Sequence, residues 1–299
     1  MYDPRDPRAA LAGAGSGTPA ATTFAAAEYA LFHQQTPIAE MPGVRSWFTR
    51  AQNFLIVYSE AEGDATFTRD DQVDEYAVLF YDHSGTVEVT ADGEAATAPA
   101  RSLIFIPPGR STVRLPAGGA LVRIFTTRAA DLVARCSNTA SYAVAHPNVT
   151  LLTPWPVPAD GYRIRCYDID VPLAEGRFGR IWRCTTLMVN FLDVKQGPRD
   201  VTRMSPHAHD DFEQCSFAAT GSFIHHIRWP WTTNMNNWRE DDHALCPAPS
   251  VAIIPPPSLH TTQAIGPDAN QLVDIFSPPR MDFSSKDGWV LNAADYPML

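Results

Sequence analysis

The chain reads as an all-β protein: two similar small β-barrels or sandwiches in tandem, with a few short helices. Two observations predict this. Short runs rich in β-branched and aromatic residues, "NFLIVYS", "YAVLFY", "GTVEVTA" and "SLIFIPP", are separated by Gly, Pro and Asp turns, while helical periodicity fades after residue 35. The segments then recur in the same order. Laid without a gap over the stretch that starts at His209, "VDEYAVLFYDHSGTVEV" sets Asp74 on Asp210, Glu75 on Asp211, Tyr76 on Phe212, Tyr81 on Phe217 and Gly85 on Gly221. Farther on, "SLIFIPPGRST" parallels "SVAIIPPPSLH", and "LVRIFT" parallels "LVDIFS".

The organisation follows from these blocks. Residues 1–45 read as a flexible arm, rich in Ala, Gly, Thr and Pro over its first two dozen residues, together with a short helix over "FAAAEYALFHQQ" (Phe24 to Gln35). Residues 46–130 form a first barrel, 131–160 a proline-punctuated linker, 161–285 a second barrel and 286–299 a tail. Gly85 to Pro107 spans 22 residues and Gly221 to Pro255 spans 34, so the second copy carries 12 extra residues, around "RWPWTTNMNNWREDDHA". A long segment there is expected to cover a barrel mouth.

With 299 residues, 45% hydrophobic and 19% charged, the chain has the composition of a soluble globular protein. A net charge of −10 without any basic run argues against nucleic acid as a partner. The five cysteines are scattered and never form C-x-x-C, which fits reduced thiols. Neither a signal-peptide core nor an apolar run of membrane-spanning length occurs, so a cytoplasmic protein without a membrane partner is expected.

The chemistry gathers in "SPHAHDDFEQ". In a strand His207, His209 and Glu213 share one face, because their positions have the same parity. His260 closes "IIPPPSLH". In the gapless repeat the first copy has Asp71, Val73, Ala77 and Thr112 at these four places, so all four residues are missing together from a copy that keeps the glycine turn and the aromatics. This joint absence marks them as functional.

His-x-His, three residues, Glu, then a glycine turn, and later a Pro-rich strand ending in His, resembles the two motifs of cupins. The resemblance covers the second half and, through the repeat, the first, so the chain looks like a bicupin with a degenerate N-terminal domain. It departs from the family in lacking a glycine shortly before the first motif and in reading "PPPSLH" where Pro-x-Gly is common. It implies two double-stranded β-helix (jelly-roll) barrels in tandem and one divalent transition metal held by His207, His209, Glu213 and His260. Three imidazoles and a carboxylate suit Fe, Mn, Ni, Co, Cu or Zn, with Fe preferred, and leave positions open for substrate.

Parity adds Arg203 to the same face, as a clamp for a substrate carboxylate. One of His225 and His226 should face inward as an acid or base; the alternation leaves both as candidates. Arg228, Trp229 and Trp231, at the start of the insertion, are candidate substrate-binding residues. The family then implies an oxygen-dependent oxidoreductase, dioxygenase-like, acting on a small organic or aromatic acid. The alternatives are a metal-dependent isomerase, lyase or decarboxylase of a small polar substrate, and a non-catalytic binding module. Pairing of sheets between chains, as a homodimer, is expected from the same resemblance.

Overall fold

The computed structural model describes residues 22–299; the arm expected at the N-terminus lies largely outside the described residues. Two seven-stranded antiparallel sheets dominate. One runs in the order β12 (Arg165–Asp168), β9 (Ser102–Ile106), β6 (Tyr76–Phe80), β11 (Gly119–Thr126), β4 (Phe54–Ala61), β3 (Val44–Arg50), β2 (Ile38–Met41). The other runs β1 (Glu28–Leu31), β19 (Ser250–Ile254), β16 (Gln214–Thr220), β21 (Ala269–Phe276), β14 (Met188–Leu192), β13 (Gly179–Arg183), with β15 (Lys195–Gln196) on β21. Each is completed into a jelly-roll barrel by a smaller sheet. These are β5 (Ala65–Gln72), β10 (Gly109–Leu115), β7 (Thr86–Ala91) and β8 (Glu94–Pro99) in the first barrel, and β18 (Asp242–Pro247), β17 (Ser222–Arg228) and β20 (Leu259–Ala264) in the second. A short helix follows the last strand of each barrel, α1 (Ala130–Val133) and α2 (Met281–Ser284).

The strands that read as continuous apolar runs are buried on both faces. In β4, Leu55 and Val57 enter the interior of the first barrel, while Phe54, Ile56 and Tyr58 face the second. The partner surface is made by Cys215, Phe217, Ile253, Val273 and Ile275, so the two large sheets share one apolar core. Where only one face is covered the sequence alternates, as in β7, whose Val87, Val89 and Ala91 are buried between exposed or half-exposed neighbours.

The segment expected to be helical over Phe24 to Gln35 is instead β1 and a single 3-10 turn, Phe32–Gln34. Its alanines suit a helix, but Glu28 to Leu31 pair with Ile253 to Ser250 at the edge of the second barrel, and that pairing overrides local propensity. The reverse exchange also occurs: β12, from the start of the second half, pairs with β9 of the first barrel.

The register also corrects the gapless repeat. Tyr76 pairs with Ile106 as Gln214 pairs with Ile254, and Ala77 with Ile124 as Cys215 with Ile275. Glu213 therefore matches Glu75 rather than Ala77. From Ile56 to Tyr76 is 20 residues and from Val189 to Gln214 is 25, so the second copy has five more residues before its strand, and two fewer from the start of the strand to the glycine of the turn that follows. The turns re-align at Gly85 and Gly221, both at positive φ (91° and 90°), where a Cβ on Gly221 would fall 2.3 Å from Asn270 Oδ1.

Candidate metal centre

His207 and His260 are brought together by a two-residue antiparallel bridge with reciprocal N–H to carbonyl bonds of 2.9 and 2.8 Å. His209 follows two residues later. The three imidazoles offer ligand nitrogens that all lie within 4.8 Å of one another, with ring centroids 4.3 to 5.1 Å apart. Two are oriented by backbone: His207 Nδ1 lies 2.9 Å from the Ser205 carbonyl and His260 Nδ1 3.2 Å from that of Ser258. Both Nδ1 atoms therefore carry the proton, and both Nε2 lone pairs are turned to the centre. His209 Nε2 lies 2.9 Å from Gln214 Oε1, and the Gln214 amide nitrogen donates to Ser216 and Asp274. The His209 ring is thus the donor in that pair, and Nδ1 holds its lone pair. Burial, then Arg280 and the two neighbouring rings, hold His209 well below the usual histidine range, so it stays neutral, as a ligand must.

Glu213 does not join them. Its carboxylate accepts the Gln52 N–H at 2.6 Å and the Tyr142 hydroxyl at 3.1 Å, on the side facing the first barrel. The parity argument fails because the chain bends at Asp210–Asp211 and strand β16 begins only at Gln214. Glu213, Cys215 and Phe217 do share a face, but it is the inter-barrel face. Gln214 and Ser216 are the residues that point into the barrel with the histidines.

His207 and His209 border a cavity of about 30 Å³, lined also by Phe178, Asn190, Asp274, Phe276, Arg280 and Phe283. Sequence reasoning missed all six. Arg280 sits beyond the last strand, outside every motif; Asn190 lies on a strand that no motif named, and Asp274, inside the repeated "LVDIFS", is brought opposite it by strand pairing. A polar residue at an inward position of an otherwise apolar run was the available signal, as in "LVDIFS".

Of the other expected residues, His225 faces inward: it is buried, its Nδ1 is 3.0 Å from the Thr262 hydroxyl, and burial, with His260 and His226, pushes it down to about 3. It lies next to the centre on β17 but does not line the cavity. His226 faces outward, on His243 and Gln263, because strand neighbours alternate. Arg203 is exposed in a turn before the bridge, where no strand parity applies. Arg228 is exposed and paired with Asp241 at 2.5 Å. Trp229 is buried with Phe24, Ile227 and Ile254 and donates to the Ala25 carbonyl at 2.9 Å, while Trp231 is 75% exposed and stacked on Trp238. None of the four lines the cavity. The insertion fastens the segment leading into β1 instead of lidding the centre.

In the first barrel the register sets Arg69, Tyr76 and Ser111 where the second has His207, Gln214 and His260. The Tyr76 and Ser111 hydroxyls are 2.9 Å apart, and the interior is filled by one large apolar cluster.

No family model matches the chain, and no curated protein matches it. Solved structures do. AerE from Microcystis aeruginosa superposes with a TM-score of 0.56 at 10% identity, over 87% of this chain and 100% of its own. The oxalate decarboxylase of Lactobacillus farciminis in its formate complex gives 0.56 at 14%, over 88% and 90%. A variant of the Bacillus subtilis oxalate decarboxylase gives 0.54 at 14%, over 83% and 76%. The fold is that of two cupin-like jelly-roll barrels in tandem. At these identities the likeness is one of architecture, and the chemistry of this chain has to be argued from its own centre. Among the described residues, no helix is long and apolar enough to cross a membrane.

Proposed function

We propose that this chain is a metal-dependent enzyme that acts on a small organic acid at one centre in its C-terminal barrel, by decarboxylation or a related non-oxidative bond cleavage. The observation that carries the reading is the convergence of three imidazoles, two buried and one half-buried, beside one small cavity that an arginine also lines. His207 and His260 would hold the ion through Nε2 and His209 through its lone-pair nitrogen. A facing set of three nitrogens suits a single divalent transition ion and leaves coordination sites open. Such an ion supplies Lewis-acid polarisation of a substrate oxygen. Gln214 orients His209, and the aromatic wall of Phe178, Phe276 and Phe283 restricts water.

Size and likeness both favour this over the oxygen-dependent reading. A cavity of about 30 Å³ is far smaller than the roughly 150 Å³ that accommodates a benzene ring, so an aromatic substrate fits poorly. The structural neighbours whose names state an activity are oxalate decarboxylases. One ion per chain is expected, because the first barrel offers Arg69, Tyr76 and Ser111 at the matching positions. The test is elemental analysis of protein purified without chelator, followed by assays on short organic acids with and without oxygen. About one equivalent of metal, lost in the His207→Ala/His260→Ala double variant, and carbon dioxide release without stoichiometric oxygen uptake are the expected results. Oxygen consumed one for one with the acid would return the centre to oxidative chemistry.

A further inference from the structure

The cavity beside the histidines is also lined by Arg280 and Asn190, which the three imidazoles do not need as partners. Arg280 is buried at 7% exposure, with its guanidinium 3.9 to 4.9 Å from the rings of Phe212, Phe276 and Phe283. Asp282 takes its Nε, at 3.0 Å, and its Nη2. Nη1 is left uncommitted. The first barrel supplies a control. There Arg69 lies over Phe125, which the repeat matches to Phe276, and pairs with Asp131, which it matches to Asp282. Arg69 uses every nitrogen, Nε on Gln72 and Nη1 and Nη2 on Asp131. A guanidinium with only a structural task at this place is thus fully tied down, and Arg280 is not.

Asn190 makes the second observation. It is fully buried on β14, lines the cavity, and neither Oδ1 nor Nδ2 has a hydrogen-bond partner. Two orphaned amide atoms in a buried site are costly unless a ligand satisfies them. The amide is seated by Gly179, where a Cβ would fall 2.0 Å from Asn190 Oδ1.

We infer that Arg280 and Asn190 form a carboxylate-binding end of this cavity, and that the site takes a short organic acid with one carboxylate and a second, uncharged oxygen function directed at the histidines. This rests on the proposed metal centre. Charge sets the count of carboxylates. Arg280 is already paired with Asp282, and Asp274 lines the same cavity. One carboxylate can share Arg280; a second would be buried without a cationic partner. Arg and amide donors lining one cavity can serve the two oxygens of a carboxylate.

The test is calorimetric titration of metal-loaded protein with glycolate and with malonate, for wild type, Arg280→Gln and Asn190→Leu, with metal content measured on the same samples. Wild type should bind glycolate at least several-fold more tightly than malonate. Arg280→Gln should weaken glycolate tenfold or more and Asn190→Leu several-fold, with metal content unchanged. Should Arg280→Gln fail to fold, the Asn190→Leu titration decides alone. Wild-type affinity for glycolate in the folded variants, or no glycolate binding by metal-loaded wild type, overturns the subsite. Tighter binding of malonate than glycolate overturns the single-carboxylate assignment. Arg280-dependent glycolate binding by protein that takes up no metal sustains the subsite while removing the metal centre, so the two failures are distinguishable.

Discussion

At the scale of single residues, the centre turns on a shift of one position. His207, His209 and His260 were legible because two short motifs placed them, and motifs survive small errors of register. Glu213 was misread because alternation was extended across a bend, and alternation holds only within a strand. Gln214 stands where a carboxylate was expected, its amide nitrogen directed at Asp274 and its oxygen at His209. Replacing it with Glu sets a second acid against Asp274 beside the three imidazoles. Without metal, Gln214→Glu should melt a few degrees below wild type, because like charges at close quarters in a buried site repel. With metal the order should reverse, and competition against a chelator should show about tenfold tighter binding, on the order of 1.4 kcal/mol. Unchanged metal affinity would mean that Gln214 does not border the ion.

At the scale of elements, Glu213 has a task that the repeat reveals. It sits just ahead of β16 as Glu75 sits just ahead of β6, and each reaches across to the β-hairpin loop of the other barrel. Glu75 accepts the Thr185 N–H at 3.0 Å, the Thr185 hydroxyl at 2.7 Å and the Tyr296 hydroxyl at 2.9 Å. Glu213 accepts Gln52 N–H and Tyr142 in the mirrored arrangement. The sequence carried both glutamates, but a gapless overlay anchored on Gly85 and Gly221 hid their equivalence, since the run from the start of β16 to its glycine is two residues shorter than that from β6. Burial pushes Glu213 from its ordinary 4.5 up to about 7, against the hydrogen bonds that favour its charged form. An acid raised in the folded state binds more protons folded than unfolded between those two values, so its effect on stability falls as pH rises through that window. The whole effect is about 3 kcal/mol. Glu213→Gln removes this titration. Relative to wild type, the variant should gain stability between pH 4.5 and pH 7 in reversible denaturant unfolding, and the difference should level off above pH 7. A pH-independent difference would show that the carboxylate is ionised throughout.

For the molecule as a whole, the tandem-barrel architecture was readable because it depends on strand-sized runs and on their order. What the sequence could not display was which barrel each strand joins. The partner of β1 lies more than 200 residues away, and no local pattern encodes an edge so distant. The result is a reciprocal exchange, with β1 completing the second barrel and β12 extending the first, over a core in which Tyr58 packs on Phe217 and Tyr81 meets the same ring at 5.5 Å. Trp229 and Arg239 hold the lead-in to β1 by the carbonyls of Ala25 and Phe24, at 2.9 and 2.6 Å. Neither barrel is covered without the other. Separating the halves would strip both large sheets of their outer face and leave the edge of β19 open, exposing apolar surface and unpaired strand edges at once. The intact chain should therefore unfold in one calorimetric transition, and a fragment beginning at residue 161 should be insoluble or unfolded alone. Adding residues 22–36 to that fragment should not rescue it, because the larger inter-barrel face would still be bare. Two resolved transitions, or a folded fragment that binds metal with the affinity of the full chain, would show that the barrels are independent and that the shared core only docks them.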